Sequence, residues 1–87
     1  MRYEVYTTKE FGPNATPMLI AIVNDDLLKA KTIMLEELRS GYVAETWLVS
    51  VYNGKRSIGR RYDAEEIGDL DQSIKHWKIS VDNKGRV

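Results

Sequence analysis

The chain contains no cysteine, a single histidine and no apolar run longer than the six residues Met18–Val23. Each shortage closes off a class of protein. Without cysteine there is neither a disulfide framework nor a thiolate metal site, which suits a reducing compartment. The run Met18–Val23 is too short to cross a bilayer or to form the core of a secretory signal, so the chain reads as a soluble cytoplasmic protein with no membrane partner. Net charge is lacking as well, because 13 Lys+Arg balance 13 Asp+Glu. That balance argues against a general nucleic-acid coat protein and leaves room for a local basic patch.

Recognisable catalytic and cofactor motifs are missing too. Gly54 and Gly59 read as turn and strand glycines with no helix start behind them, so there is no phosphate-cradling loop. The acidic residues lack EF-hand spacing, and a zinc ligand set is not present. No cofactor or metal is expected. An enzyme reading would rest on His76 alone, with Asp71 and Ser73 near it in sequence, and a triad is a matter of geometry rather than of proximity along the chain.

What is present is enough for one modest core: 87 residues, 43% of them apolar. Residues 1–82 read as one domain and 83–87 as a loose tail. Arg2–Lys9, with Tyr3, Val5, Tyr6 and two threonines, suits a strand. Gly12-Pro13-Asn14 and Pro17 mark a loop, and Met18–Val23 then reads as a central strand covered on both faces and paired with the first. Asn24-Asp25-Asp26 offers an N-cap for a helix over about 26–40 that ends at Gly41, with Leu27, Ala30, Met34 and Leu38 as its apolar stripe.

Asn53-Gly54 lies between two alternating segments, the strongest short-range hairpin signal, because a type I′ turn needs positive φ at both central residues. A two-residue loop there pairs Tyr52 with Lys55, Val49 with Ile58 and Trp47 with Arg60. Trp47, Val49, Val51, Ile58 and Tyr62 then form the expected core face, with Arg56 and Arg60 reaching past it to water and Arg60 lying over Trp47. Asp63-Ala64-Glu65-Glu66 resembles a capping box, so a short helix over about 64–73 or an acidic loop follows. The alternation of Trp77, Ile79 and Val81 with His76, Lys78 and Ser80 reads as a final half-buried strand. The expected fold is α+β in two layers: an antiparallel sheet of about five strands in the order ββαββ(α)β, with one long helix on one face.

Charge is sorted along the chain. Four cations stand in the seven residues Lys55–Arg61, and Asp63, Glu65, Glu66, Asp69 and Asp71 follow. The basic arm reads either as an edge strand guarded by charge, as a site for an acidic protein surface, or as a phosphate-binding arm with Tyr52 or Tyr62 for stacking. Partner-binding candidates are Tyr52, Lys55, Arg56, Arg60, Arg61 and Tyr62. A secondary acidic surface comprises Glu65, Glu66, Asp69 and Asp71, which either neutralise the arm or imitate a phosphate backbone. The expectation is a non-catalytic protein-interaction module, with an RNA- or DNA-binding module using Lys55–Arg61 as the alternative. Homodimerisation through an uncovered edge strand stays open.

The segment from Asn53 through Lys55-Arg56-Ser57-Ile58-Gly59-Arg60-Arg61-Tyr62-Asp63, leading into an acidic stretch and Trp77, resembles part of some small phage-encoded anti-CRISPR proteins. The resemblance implies a compact α+β protein, carried by a phage or other mobile element, that inhibits a host complex by binding it without catalysis. On that view Tyr52, Arg56 and Arg60 contact a host protein.

Overall fold

Strand and helix signals alternate along this chain, and the backbone follows them up to Asp63. A computed structural model describes the backbone of residues 1–84 and the side chains of residues 1–77. The elements are β1 (Arg2–Thr8), β2 (Met18–Asn24), α1 (Leu27–Ser40), β3 (Glu45–Tyr52), β4 (Lys55–Ile58), β5 (Tyr62–Asp63), a 3₁₀ turn (Ala64–Glu66) and α2 (Ile67–Lys84). The strands form one antiparallel sheet in the order β2-β1-β3-β4, with β5 also pairing β3. Both helices lie on one face, giving the expected two-layer α+β fold.

The local chemistry explains the element ends. Asp26 caps α1 by accepting a hydrogen bond from the Lys29 N–H at 2.9 Å, and the Gly41 N–H returns to the Leu38 carbonyl. Asn53 and Gly54 have φ of 50° and 77°, the left-handed pair that the tight hairpin requires. Tyr52 pairs with Lys55 and Val49 with Ile58, as the turn dictates. The helix-side core is Val5, Val23, Ala30, Met34, Leu35, Leu38, Leu70 and Ile74.

Four expectations are corrected. First, Met18–Asn24 is an edge strand with only one covered face, and Ile20 is the extra residue of a bulge, since Val5 pairs Ala21 while Tyr6 pairs Leu19. Leu19 and Ile22 point away from the helices and are exposed. Second, the helices cover the opposite face of the β3–β4 hairpin from the one expected. Val5, paired with Leu48, belongs to the helix-side core, whereas Trp47, Val49, Val51 and Ile58 share the other face with Arg2, Glu4, Tyr6 and Arg56. Three charged side chains on that face could not be buried beneath a helix without severe desolvation, so the helices take the side carrying Val5, Leu48 and small residues.

Third, Trp47 does not pair with Arg60. After Val49–Ile58 the ladder resumes at Thr46–Tyr62, so Gly59, Arg60 and Arg61 stand opposite only Trp47 and Leu48. This bulge is pinned by the Gly59 N–H donating to the Leu48 carbonyl at 2.7 Å. It turns Tyr62 to the helix side, where it packs against the core. Fourth, there is no strand at His76–Val81: α2 runs from Ile67 to Lys84. Trp77 extends the Ile67, Leu70, Ile74 series by one more helical step, and the reciprocal capping box of Asp63 and Glu66 supplies the start. The helix takes in Asn83 and Lys84 of the expected tail, and residues 85–87 lie outside the described residues.

Candidate functional site

The uncovered face of the sheet carries a closed polar network. Glu4 is buried there, at 5% exposure. Its carboxylate meets the Arg56 guanidinium at 2.7 Å and the Arg2 guanidinium at 3.1 Å, and it accepts a hydrogen bond from the Tyr6 hydroxyl at 3.0 Å. Arg56 also donates to the Tyr6 oxygen at 3.1 Å. Burial by itself pushes the Glu4 carboxyl up, but the hydrogen bonds from Arg56 and Tyr6 and the charges of Arg56 and Arg2 outweigh it, so Glu4 titrates below the ordinary carboxylate range. Tyr6 and Glu4 raise the Arg56 guanidinium above its usual value.

Beside this network lies an aromatic floor. The rings of Tyr6 and Trp47 stack with centroids 5.9 Å apart and planes 10° from parallel. The Arg61 guanidinium covers Trp47 at 4.1 Å from its ring centre. Tyr6, Trp47, Val49, Pro17, Ile58, Arg56 and Arg61 line a groove of about 510 Å³. Trp47 and Val49 form its buried base, whereas Ile58 stands 72% exposed on its wall.

The bulge at Gly59–Arg61 sends two adjacent arginines to different neighbours. Arg60 lies over Tyr62 at 4.7 Å and donates to both Glu66 and Asp69, the latter at 3.0 Å. Those carboxylates raise the Arg60 guanidinium above its usual value, and Arg60 in turn lowers Glu66. Arg61 goes to Trp47, the pairing expected of Arg60. Its nearest carboxylate is Glu45 at 3.8 Å, and among the described residues its N–H groups donate no hydrogen bond.

The six partner-binding candidates therefore do not share one surface. Arg56 and Arg61 reach the open face. Tyr52 and Lys55, both exposed, alternate to the helix side at the hairpin tip, and Tyr62 is half-buried against the core. Of the acidic candidates, Glu66 and Asp69 hold Arg60, Asp71 pairs with Lys75 at 3.2 Å, and Glu65 is exposed on the 3₁₀ turn. The residues that the charge pattern overlooked are Tyr6, Pro17, Trp47, Val49 and Ile58 in the groove and Glu4 in the network beside it. The signal available was the alternation Arg2-x-Glu4-x-Tyr6, which puts two charges on one face of a central strand.

His76 is exposed on α2 and has no hydrogen bond or ion pair among the described residues. A different pair lies between the helices: the Lys31 ammonium donates to the Ser73 hydroxyl at 2.7 Å, and burial lowers the Lys31 pKa. Neither residue lines the groove. Among the described residues no cluster of His, Cys, Asp or Glu could hold a metal ion, and no helix is long and apolar enough to cross a membrane. Comparison with known proteins finds no matching family model, curated protein or solved structure.

Proposed function

We infer that this chain is a small non-catalytic interaction module that works in the cytoplasm and docks on a larger protein through the open face of its sheet. The observation that carries this reading is the groove itself: a 510 Å³ depression with an aromatic and aliphatic lining and guanidiniums at its rim, on a face that the helices leave uncovered. Aromatic and arginine side chains around an apolar centre have the composition of interface hot spots. Ile58, Leu19 and Ile22, all exposed on that face, add apolar area around it. Inhibition of a host complex, the role implied by the resemblance of the hairpin, is one task that such docking would perform.

Photo-crosslinking tests the reading. A benzoylphenylalanine placed at Ile58 or Ile22 in host cells is expected to give a discrete protein adduct, and one at Lys29 or Glu36, exposed on α1, is not. Equal adducts from both sides would overturn it. Nucleic-acid binding by Lys55–Arg61 has less support. Arg56 and Arg60 are held by the chain's own carboxylates, at 2.7 Å for Arg56, so phosphates would have to displace Glu4, Glu66 and Asp69 to use more than one of the arm's arginines.

A further inference from the structure

We propose that the groove receives an acidic segment of a partner protein, with an apolar side chain seated over Val49 and Ile58 and a neighbouring carboxylate held by Arg61. This rests on the reading of the chain as a protein-binding module and names the chemistry of its partner.

Arg61 carries the inference. The Arg61 guanidinium carbon stands 4.1 Å from the centre of the Trp47 ring, a cation–π position that engages its charge without consuming an N–H group in a hydrogen bond. A guanidinium held in this way has lost much of its rotamer freedom before binding, which lowers the cost of ordering it on a partner. Its N–H groups donate to nothing among the described residues, and Glu45 at 3.8 Å is too far for a hydrogen bond. A planar donor set of this kind matches a carboxylate, which can accept two parallel bonds. Arg56, the other guanidinium of the groove, is already committed to Glu4 and Tyr6. The groove therefore offers one strong anion-binding position, set beside an aliphatic wall.

That combination selects among anionic partners. A nucleic-acid strand brings a row of phosphates and gains affinity by neutralising several of them. Here Glu4 holds Arg56, and Glu45 stands 3.8 Å from Arg61, so a row of phosphates finds one open guanidinium in the groove and no second. Bases would need an open aromatic face, yet Tyr6 and Trp47 are stacked on each other and Trp47 is only 4% exposed. A protein segment with one carboxylate next to a leucine-like or phenylalanine-like side chain needs only the one open guanidinium and also meets the aliphatic wall.

The test is a selection from a random peptide display library against the full chain, with an Arg61→Gln variant as counter-target. Enriched peptides are expected to pair Asp or Glu with an adjacent large apolar residue. The synthetic peptides should shift the Val49 and Ile58 methyl and Trp47 indole resonances, and Arg61→Gln should weaken them roughly tenfold, as loss of a charge-assisted bond would. Replacing the peptide carboxylate by its amide should produce the same loss. Enriched peptides without acidic residues, or shifts confined to other surfaces, would overturn the inference. A crosslink from Ile58 would then still stand for the module. A single-stranded RNA that shifts the same resonances, with binding that falls steeply with salt, would overturn this inference and the protein-binding reading together.

Discussion

Individual side chains on this sheet carry costs that the sequence conceals. Thr8 is buried at 1% exposure, and its hydroxyl finds no hydrogen-bond partner among the described residues. Thr8→Val keeps the branched shape and removes the hydroxyl, so it should raise stability by about 1 kcal/mol, read as a higher urea midpoint at unchanged slope. Glu4 gives a prediction of the opposite kind. Its carboxyl, like that of Glu66, binds a proton less readily in the folded state than in the unfolded chain, where the reference value is 4.5. Below that value the unfolded chain holds more protons, so stability rises with pH there. The contribution of Glu4 is complete above the ordinary carboxylate range and is lost as pH falls through its folded value. Urea midpoints between about pH 3 and pH 6 should climb in the wild type and climb less in Glu4→Gln, which should also be the less stable protein at neutral pH.

At the level of elements, legibility depended on whether a segment's signal was local. The α1 cap at Asp26, the stop at Gly41 and the Asn53-Gly54 turn are short-range chemistry, and each lies where the residues indicate. Which face the helices cover is not local. Trp47, Val49 and Val51 are the more apolar side of β3, but the charges that keep a helix off that side come from Arg2 and Glu4 on β1 and from Arg56 on β4. The bulge depends on a single residue, Gly59, whose added Cβ would lie 3.1 Å from the Leu48 carbonyl, and it decides that Arg61 rather than Arg60 covers Trp47. At the end of the chain two periodicities compete, and the capped stripe Ile67, Leu70, Ile74, Trp77 prevails over the alternation that begins at Trp77. Gly68 sits in the first turns of this helix with open space where a Cβ would stand. Gly68→Ala should therefore stabilise the protein by roughly 0.5–1 kcal/mol, through a reduced backbone entropy cost in the helix. A thermal or urea melt that is unchanged or lower would count against a helix at this position.

Across the whole molecule, the two faces of the sheet divide stability from recognition. The helix side holds the continuous core, in which Leu70 and Val5 are fully buried and Met34 nearly so. The open side holds buried aromatic and polar groups beneath an exposed rim. Truncation should separate the two roles. Leu70→Ala removes a side chain that joins α2 to the core, and it should cost about 2–5 kcal/mol, a large share of the total for a domain of this size. Ile58→Ser removes an exposed side chain at the groove wall, and its unfolding free energy should stay within about 0.5 kcal/mol of the wild type. If the open face is where this protein meets its partner, Ile58→Ser should lose the complex at full stability, whereas Leu70→Ala should retain binding in whatever fraction remains folded. Denaturant melts and binding titrations on the same two preparations read both quantities. An Ile58→Ser protein that binds as tightly as the wild type would place recognition elsewhere on the surface, because an apolar side chain 72% exposed on the groove wall would then contribute nothing to it.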